Sequence, residues 1–190
     1  MDAFDRLFAE KASLIFKKRE SFITIFKELF TESYKEIAVN DNVPDFVYNC
    51  SVQSKEENDI YNLLLHHRKK DIFLGSSSLG PQRDDIKLLN ESNIRFTSYA
   101  SQGQRRTAAI SLKASESLYL EKELNQKAII LVDDIFSELD EFRRANMLKI
   151  LGKGNQVIFT MVNIDSIDLS EYSNFQKFRV DKEATVIELT

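Results

Sequence analysis

The stretch Lys127 to Glu141, KAIILVDDIFSELDE, constrains the fold more than any other part of the chain. Ile129, Ile130, Leu131 and Val132 run without polar alternation into two adjacent carboxylates, Asp133 and Asp134. An aliphatic, branched run of that length reads as a strand buried on both faces, the pattern of a parallel sheet covered by helices. The acids then stand at the strand's carboxyl end, which in open α/β sheets is the rim where ligands bind. An acid pair there suits Mg²⁺ and a polarised water: one carboxylate holds the metal or its hydration shell, and the other orients or deprotonates the attacking water. Aspartate also caps helices and starts turns, so the pair alone leaves the choice open.

Composition narrows the classes. A chain of 190 residues with 43% apolar residues can bury one good-sized core or two small ones. A net charge of -4 excludes a uniformly basic nucleic-acid binder, although not a local basic face. Cys50 is the single cysteine, which allows no internal disulfide and fits a reducing cytosol. No apolar run approaches the roughly 20 residues of a membrane span, and the start, MDAFDRLFAE, is acidic and amphipathic where a signal peptide is basic and then apolar. The expectation is a cytoplasmic protein without membrane contact.

Between Phe4 and about Ile37 there is no Gly or Pro, and Phe8, Ala12, Ile15, Phe22, Phe26 and Leu29 recur at steps of three and four, interrupted at Arg19. This predicts a long amphipathic helix, with Phe16, Ile23 and Phe30 widening its apolar stripe enough to meet more than one neighbour. Phe46 to Val52 alternates like a half-buried strand, with Cys50 a small core residue on the apolar side. Ser54 and Glu57 have the spacing of a capping box and open a helix from Lys55 to about Lys70. That helix ends in His66, His67, Arg68, Lys69 and Lys70, a basic end that complements the helix dipole or contacts phosphate. The adjacent histidines face different sides, which argues against a metal pair.

The loop Gly75 to Asp85 is rich in Gly and Ser, but no Lys-Ser or Lys-Thr follows it, and no G-x-x-x-x-G-K-[ST] occurs in the sequence. Arg83 there is a fork for phosphate or carboxylate, or a structural salt bridge. Ile86 to Asn90 and Ile94 to Thr97 look like a short hairpin. Helical spacing resumes from Arg105, so that Ser101, Gln102 and Gly103 lie at a helix amino terminus. Free N–H groups, the helix dipole and a hydroxyl suit that position to a phosphate; a plain Ser N-cap is the alternative. After the acid strand, Glu141 to Leu151 reads as a helix closed by Gly152, QVIFT (Gln156 to Thr160) as a second buried strand, Asn163 to Asn174 as polar loop or short helix, and Phe178 to Val180 with Thr185 to Leu189 as a hairpin at a sheet edge.

Three features thus stand in one order: SQGQRR opening a helix, an aliphatic strand ending in Asp-Asp followed by SELD, and QVIFT some two dozen residues on. Together they resemble the carboxyl-terminal part of the RecF family of ABC/SMC-type ATPases, and the resemblance covers essentially the whole sequence. GPQRDD looks like that family's GPHRDD, with Gln82 where a His is usual, and the first helix resembles its helical arm. The resemblance implies an α/β fold: the carboxyl-terminal part of an ABC-type ATPase head, a parallel sheet flanked by helices, with a helical arm subdomain. It implies a division into an arm with a short strand over residues 1–70 and an ATPase lobe over 71–190. It further implies that Ala100 to Gln104 is the ABC signature, with Ser101, Gln102, Gly103 and Gln104 meeting ATP held by an opposite subunit. Asp133 matches the Walker B acid that supports Mg²⁺, Asp134 the catalytic acid that activates water, Ser137 to Asp140 the D-loop, and Thr160 the switch position where many ABC proteins carry histidine. The Walker A lysine and Q-loop glutamine have no counterpart.

Function follows as an expectation from the same resemblance: DNA repair, recombination, replication and the SOS response, through ATP-dependent DNA binding and homodimerisation at single-strand/double-strand junctions or gaps. RecR- and RecO-like partners would assist recombinase loading. ATP and Mg²⁺ would be held only together with a lobe that carries Walker A, so whether this is an enzyme stays open and the isolated chain is expected to be inactive. Lys17 to Arg19, Arg68 to Lys70 and Arg105-Arg106 are the basic candidates for DNA contact. The competing readings are a non-enzymatic interaction module and a fragment of another SMC- or Rad50-like ATPase.

Overall fold

Helix α1 (Asp2–Ala38) supplies one wall to each of three clusters of buried side chains. The structure is a computed structural model that describes residues 2–38, 41–134, 139–162, 174–180 and 186–189. Near its start, Ala9, Ala12 and Phe16 pack with Val52, Ile60 and Leu64. Midway, Phe26, Phe30 and Tyr34 meet Phe46 and Phe96 in an aromatic cluster whose rings lie at tilted and edge-on angles. At its end, Ile37 joins Ile110, Val132, Met147 and Leu148. The stripe is therefore wide, as the sequence requires, but its centre is shifted: Phe16 and Phe30 are fully buried while Ile15 stays exposed.

The remaining elements follow in order as β1 (Asp45–Asn49), α2 (Glu57–Leu74), a 3-10 turn at Pro81–Arg83, β2 (Asp85–Leu89), α3 (Phe96–Tyr99), α4 (Gln102–Leu124), β3 (Ile129–Asp133), α5 (Glu141–Leu151), β4 (Gln156–Thr160), β5 (Lys177–Val180) and β6 (Val186–Leu189). Strands pair as β1 with β2 and β5 with β6, both antiparallel, and as β3 with β4, parallel. The expected strand at Ile94 to Thr97 does not form. Leu89 and Arg95 share an isolated bridge, and the chain then turns into α3, which drives Phe96 into the aromatic cluster. Asn163 to Ser173, expected as loop or helix, lie outside the described residues.

Helix α4 lies against α1, and its Thr107, Ser111, Ala114 and Ser115 are all buried. Three of these would be costly without partners. Thr107, Ser111 and Ser115 each donate to the carbonyl four residues back, at 3.0, 2.8 and 2.6 Å. Small side chains with internally satisfied hydroxyls let two helices approach closely without an orphaned donor.

Two helix ends depart from expectation. The Ser54 hydroxyl donates to Asp59 instead of closing a capping box, and Glu56 is the N-cap of α2. At the other end α2 runs past its basic cluster to Leu74, where Gly75 adopts φ +66 and ends it as a left-handed C-cap. The segment after Gly75 is held by a carboxylate: Asp84, whose side chain is 3% exposed, accepts from the Arg19 guanidinium at 2.9 Å, from the Ser51 N–H at 2.9 Å and from the Tyr48 hydroxyl. Burial beside that acid pushes the Tyr48 hydroxyl well above its ordinary pKa. Gly80 in the same segment has φ +124, and a Cβ there would fall 2.6 Å from the Phe8 ring, so no other residue fits. Asp84→Ala is expected to lower unfolding free energy by about 2–3 kcal/mol in a urea titration, because it strips three donors of one buried acceptor; a change under about 0.5 kcal/mol would show that the network is not structural.

The parallel pair corrects one expectation. Burial along β3 and β4 alternates: Ile130, Val132, Val157 and Phe159 face the core of α4 and α5, whereas Ile129 and Leu131 are 66% and 74% exposed. One face of this sheet is covered by the described residues and the other, with Ile158, is open apolar surface. The unbroken aliphatic sequence is thus made for two covered faces, of which the described residues cover one.

Candidate functional site

The parallel register sets Asp133 beside Thr160, the last residues of β3 and β4. The Thr160 hydroxyl donates to Asp133 Oδ1 and accepts from the Asp134 N–H at 3.2 Å, and the Thr160 carbonyl accepts from the same N–H, also at 3.2 Å. Asp134 leaves the strand with φ +46, a left-handed conformation that few residues other than Gly, Asn and Asp accept. Asp133 and Asp134 are both exposed at this strand end. Asp133 is thereby oriented by a hydroxyl, and the Asp134 backbone is held by Thr160.

A second group forms at the start of α4. Ser101 is its N-cap in a reciprocal capping box: the Ser101 hydroxyl oxygen accepts from the Gln104 N–H at 3.2 Å, and the Gln104 side chain accepts from the Ser101 N–H at 2.9 Å. The plain capping role is therefore present. Gln102 and Gly103 lie in the first turn, where N–H groups have no intrahelical acceptor, and Ser101 and Gln102 are exposed. Gly103 has no positive φ, and a Cβ there would lie 3.7 Å from the nearest side-chain atom, so the chain's own folding does not demand glycine.

Asp140 is the N-cap of α5 and accepts from the Arg143 N–H at 2.9 Å. That backbone hydrogen bond, with the Arg143 guanidinium on its other oxygen, holds the Asp140 carboxyl below its ordinary pKa. Ser137, expected in the same turn, lies outside the described residues. Arg143 also pairs with Asp41 at 2.9 Å. Sequence reasoning missed Arg143 and Asp41; the spacing of Asp140 and Arg143 was a signal for the first, and nothing local signalled the second.

Several basic candidates are engaged within the chain. Lys17 pairs with Glu56 at 2.9 Å, Arg19 with Asp84, and Arg68 with Asp2 at 2.7 Å and with Asp5. The Arg83 side chain donates to the Ser77 carbonyl at 2.7 Å, closing its own loop. No group of three or more His, Cys, Asp or Glu able to hold a metal ion occurs among the described residues. No helix among them is long and apolar enough to cross a membrane.

No family model matches the chain. Curated relatives do: the DNA replication and repair proteins RecF of Bacillus cereus, Bacillus anthracis and Bacillus thuringiensis are each 30% identical over 176 residues, covering 88% of this chain and 46% of theirs. Two solved structures of the recombination mediator protein RecF of the RecFOR pathway, RecF-ATPrS and RecF-ATP, superpose with a TM-score of 0.77 at 30% identity, over 100% of this chain and 50% of theirs. By sequence and by structure the chain is similar to RecF proteins, as a counterpart of their carboxyl-terminal half. It spans about half the length of the curated relatives it matches. The fold is accordingly the carboxyl-terminal part of an ABC-type ATPase head with a helical arm, and the relatives it resembles are DNA replication and repair proteins.

Proposed function

We propose that this chain supplies the signature and Walker B half of a RecF-type ATPase acting in DNA repair and recombination. The observation that carries this reading is the strand-end cluster of Asp133, Asp134 and Thr160 on a parallel pair whose second face is apolar and open. In it, Asp133 supports Mg²⁺ and Asp134 activates the attacking water. Ser101, Gln102, Gly103 and Gln104 contact the γ-phosphate of ATP held by an opposite subunit, Ser137 and Asp140 belong to the loop that crosses the interface, and Thr160 takes the switch position. One carboxylate beside one hydroxyl fits Mg²⁺, which keeps waters and takes phosphate oxygens as its other ligands instead of an all-protein cage. When bound, the ion neutralises charge on the phosphates.

Ser101 and Gly103 would contact ATP only across the interface, so that bound ATP would serve mainly to join subunits and its hydrolysis to release them. The remaining half of the head covers the open face at Ile129, Leu131 and Ile158. The joined protein binds DNA at single-strand/double-strand junctions or gaps and, with RecO- and RecR-like partners, assists recombinase loading. Lys17, Arg19 and Arg68 are engaged in ion pairs, and the Arg105 side chain donates to the Ala100 carbonyl at 3.0 Å. Lys18, Lys69 and Lys70 are therefore the preferred DNA-facing residues.

The test is a pair of titrations with ATP and Mg²⁺. The 190-residue protein alone is expected to bind no ATP and hydrolyse none. Together with a RecF amino-terminal half that carries a P-loop, it is expected to bind ATP, sediment as a pair of complete heads and turn over. A complex that forms but shows no ATP-dependent pairing would favour a non-enzymatic interaction module, for which the open apolar face would be the docking surface.

A further inference from the structure

Arg143 pairs with carboxylates from two segments that are far apart in sequence and lies beside a third. Its Nη1 holds Asp140 at the amino end of α5, and its Nη2 holds Asp41, just beyond α1, at 2.9 Å. A Cβ placed on Gly103 would lie 3.7 Å from that same Nη1, so the guanidinium also faces the first turn of α4. The Arg143 side chain is 22% exposed and that of Asp41 19%, which makes this pair far less accessible to solvent than the surface pairs Lys11–Glu10 and Lys113–Glu116. Beside them, Tyr34 buries its hydroxyl without a hydrogen-bond partner among the described residues. Its pKa is pushed up to about 12, by burial first and by the Asp41 charge second.

An arginine at this place is more than a cap. A cap for α5 needs only Asp140, and an ion pair three residues along the helix adds a few tenths of a kcal/mol. The planar guanidinium gives each of the two carboxylates its own nitrogen in a fixed geometry, which the single ammonium of lysine does not.

We propose that Arg143 is a positioning residue that fixes the offset between the first turn of α4 and the Asp140 turn, and ties both to the end of the α1 arm through Asp41. The proposal rests on the reading that those two turns meet the opposite subunit's nucleotide. Arm and interface would then be mechanically linked: movement of α1 is felt at the signature turn through one guanidinium.

Two variants isolate the link. Arg143→Lys keeps a charge for Asp140 and gives up the second fork; Asp41→Asn leaves the α5 cap untouched. In complex with the P-loop-bearing half, both should bind ATP per subunit as the parent does, yet show ATP-dependent pairing weakened about tenfold by sedimentation. The double variant should be no weaker than either single one, since both break the same contact. In the 190-residue protein alone, Asp41→Asn should speed amide exchange at Gln102 to Gln104 while leaving β3 unchanged. Unchanged exchange at that turn, or pairing equal to the parent in both variants, overturns the proposal. A parent complex that does not pair with ATP overturns instead the reading of the two turns, and the exchange experiment still decides whether Arg143 links them.

Discussion

Gly103→Ala is expected to leave the isolated chain as stable as the parent, or about 0.5–1 kcal/mol more stable, while weakening ATP-driven pairing of complete heads by about 10²–10⁴-fold. The two halves of this expectation have separate causes. Gly103 lies inside a regular helix without a positive φ, and the space a Cβ would enter holds nothing closer than 3.7 Å, so the monomer gains the helix propensity of alanine at no steric cost. A phosphate approaching from outside meets the opposite situation. A Cβ at this turn holds the oxygen away from the N–H groups of the first turn, and each charge-assisted hydrogen bond lost is worth about 1.5–3 kcal/mol, once at each of two symmetric sites. Urea unfolding of the isolated chain reads the first quantity, and sedimentation of the complete head with and without ATP reads the second. Pairing that survives the substitution would mean that Ser101 and Gly103 serve only to start a helix.

The strand-end cluster was legible in the sequence because parallel pairing aligns equivalent strand ends. Once IILVDD and QVIFT are read as neighbours, Asp133 and Thr160 come together with no further assumption. The link from Arg143 to Asp41 was not legible, since 102 residues separate the partners and neither stands in a motif. Local rules failed where burial outweighed them. Ile94 to Thr97 has the β-branched and aromatic residues of a strand, yet the Asn90 side chain accepts from the N–H groups of Ser92 and Ile94 at 2.9 and 2.8 Å and tightens a turn instead. Phe96 then gains more from the aromatic cluster than a strand edge would give it. The basic cluster at the end of α2 likewise looked like a stop signal, but the stop is set by the residue that can take a left-handed φ, Gly75.

The uncovered side of β3 and β4 is a different kind of departure. The unbroken aliphatic run calls for a strand with two covered faces, and the described residues cover only one of them. A pattern of side chains reports every surface that a strand must bury, including surfaces met by residues elsewhere. On the proposed reading, the exposed Ile129, Leu131 and Ile158 are the surface that the lobe carrying the phosphate-binding loop would cover.

Asp134→Asn in the complete head should preserve ATP-driven pairing and lower hydrolysis by about 10²–10⁴-fold, the range for removing a positioned general base. The choice of asparagine matters. Asp134 holds φ +46, which asparagine tolerates as well as aspartate, and its contacts to Thr160 are made by the backbone N–H, which the substitution keeps. What changes is the charge and basicity of the carboxylate. Asp134→Ala removes the same group but adds strain of about 1 kcal/mol or more at a left-handed position, so any further loss in the alanine variant measures the backbone and not the chemistry. Pairing and turnover are read separately, by sedimentation with ATP and by phosphate release under single-turnover conditions. Normal turnover in the asparagine variant would remove Asp134 from the catalytic role; loss of pairing with turnover per paired head intact would make it a structural residue of the interface.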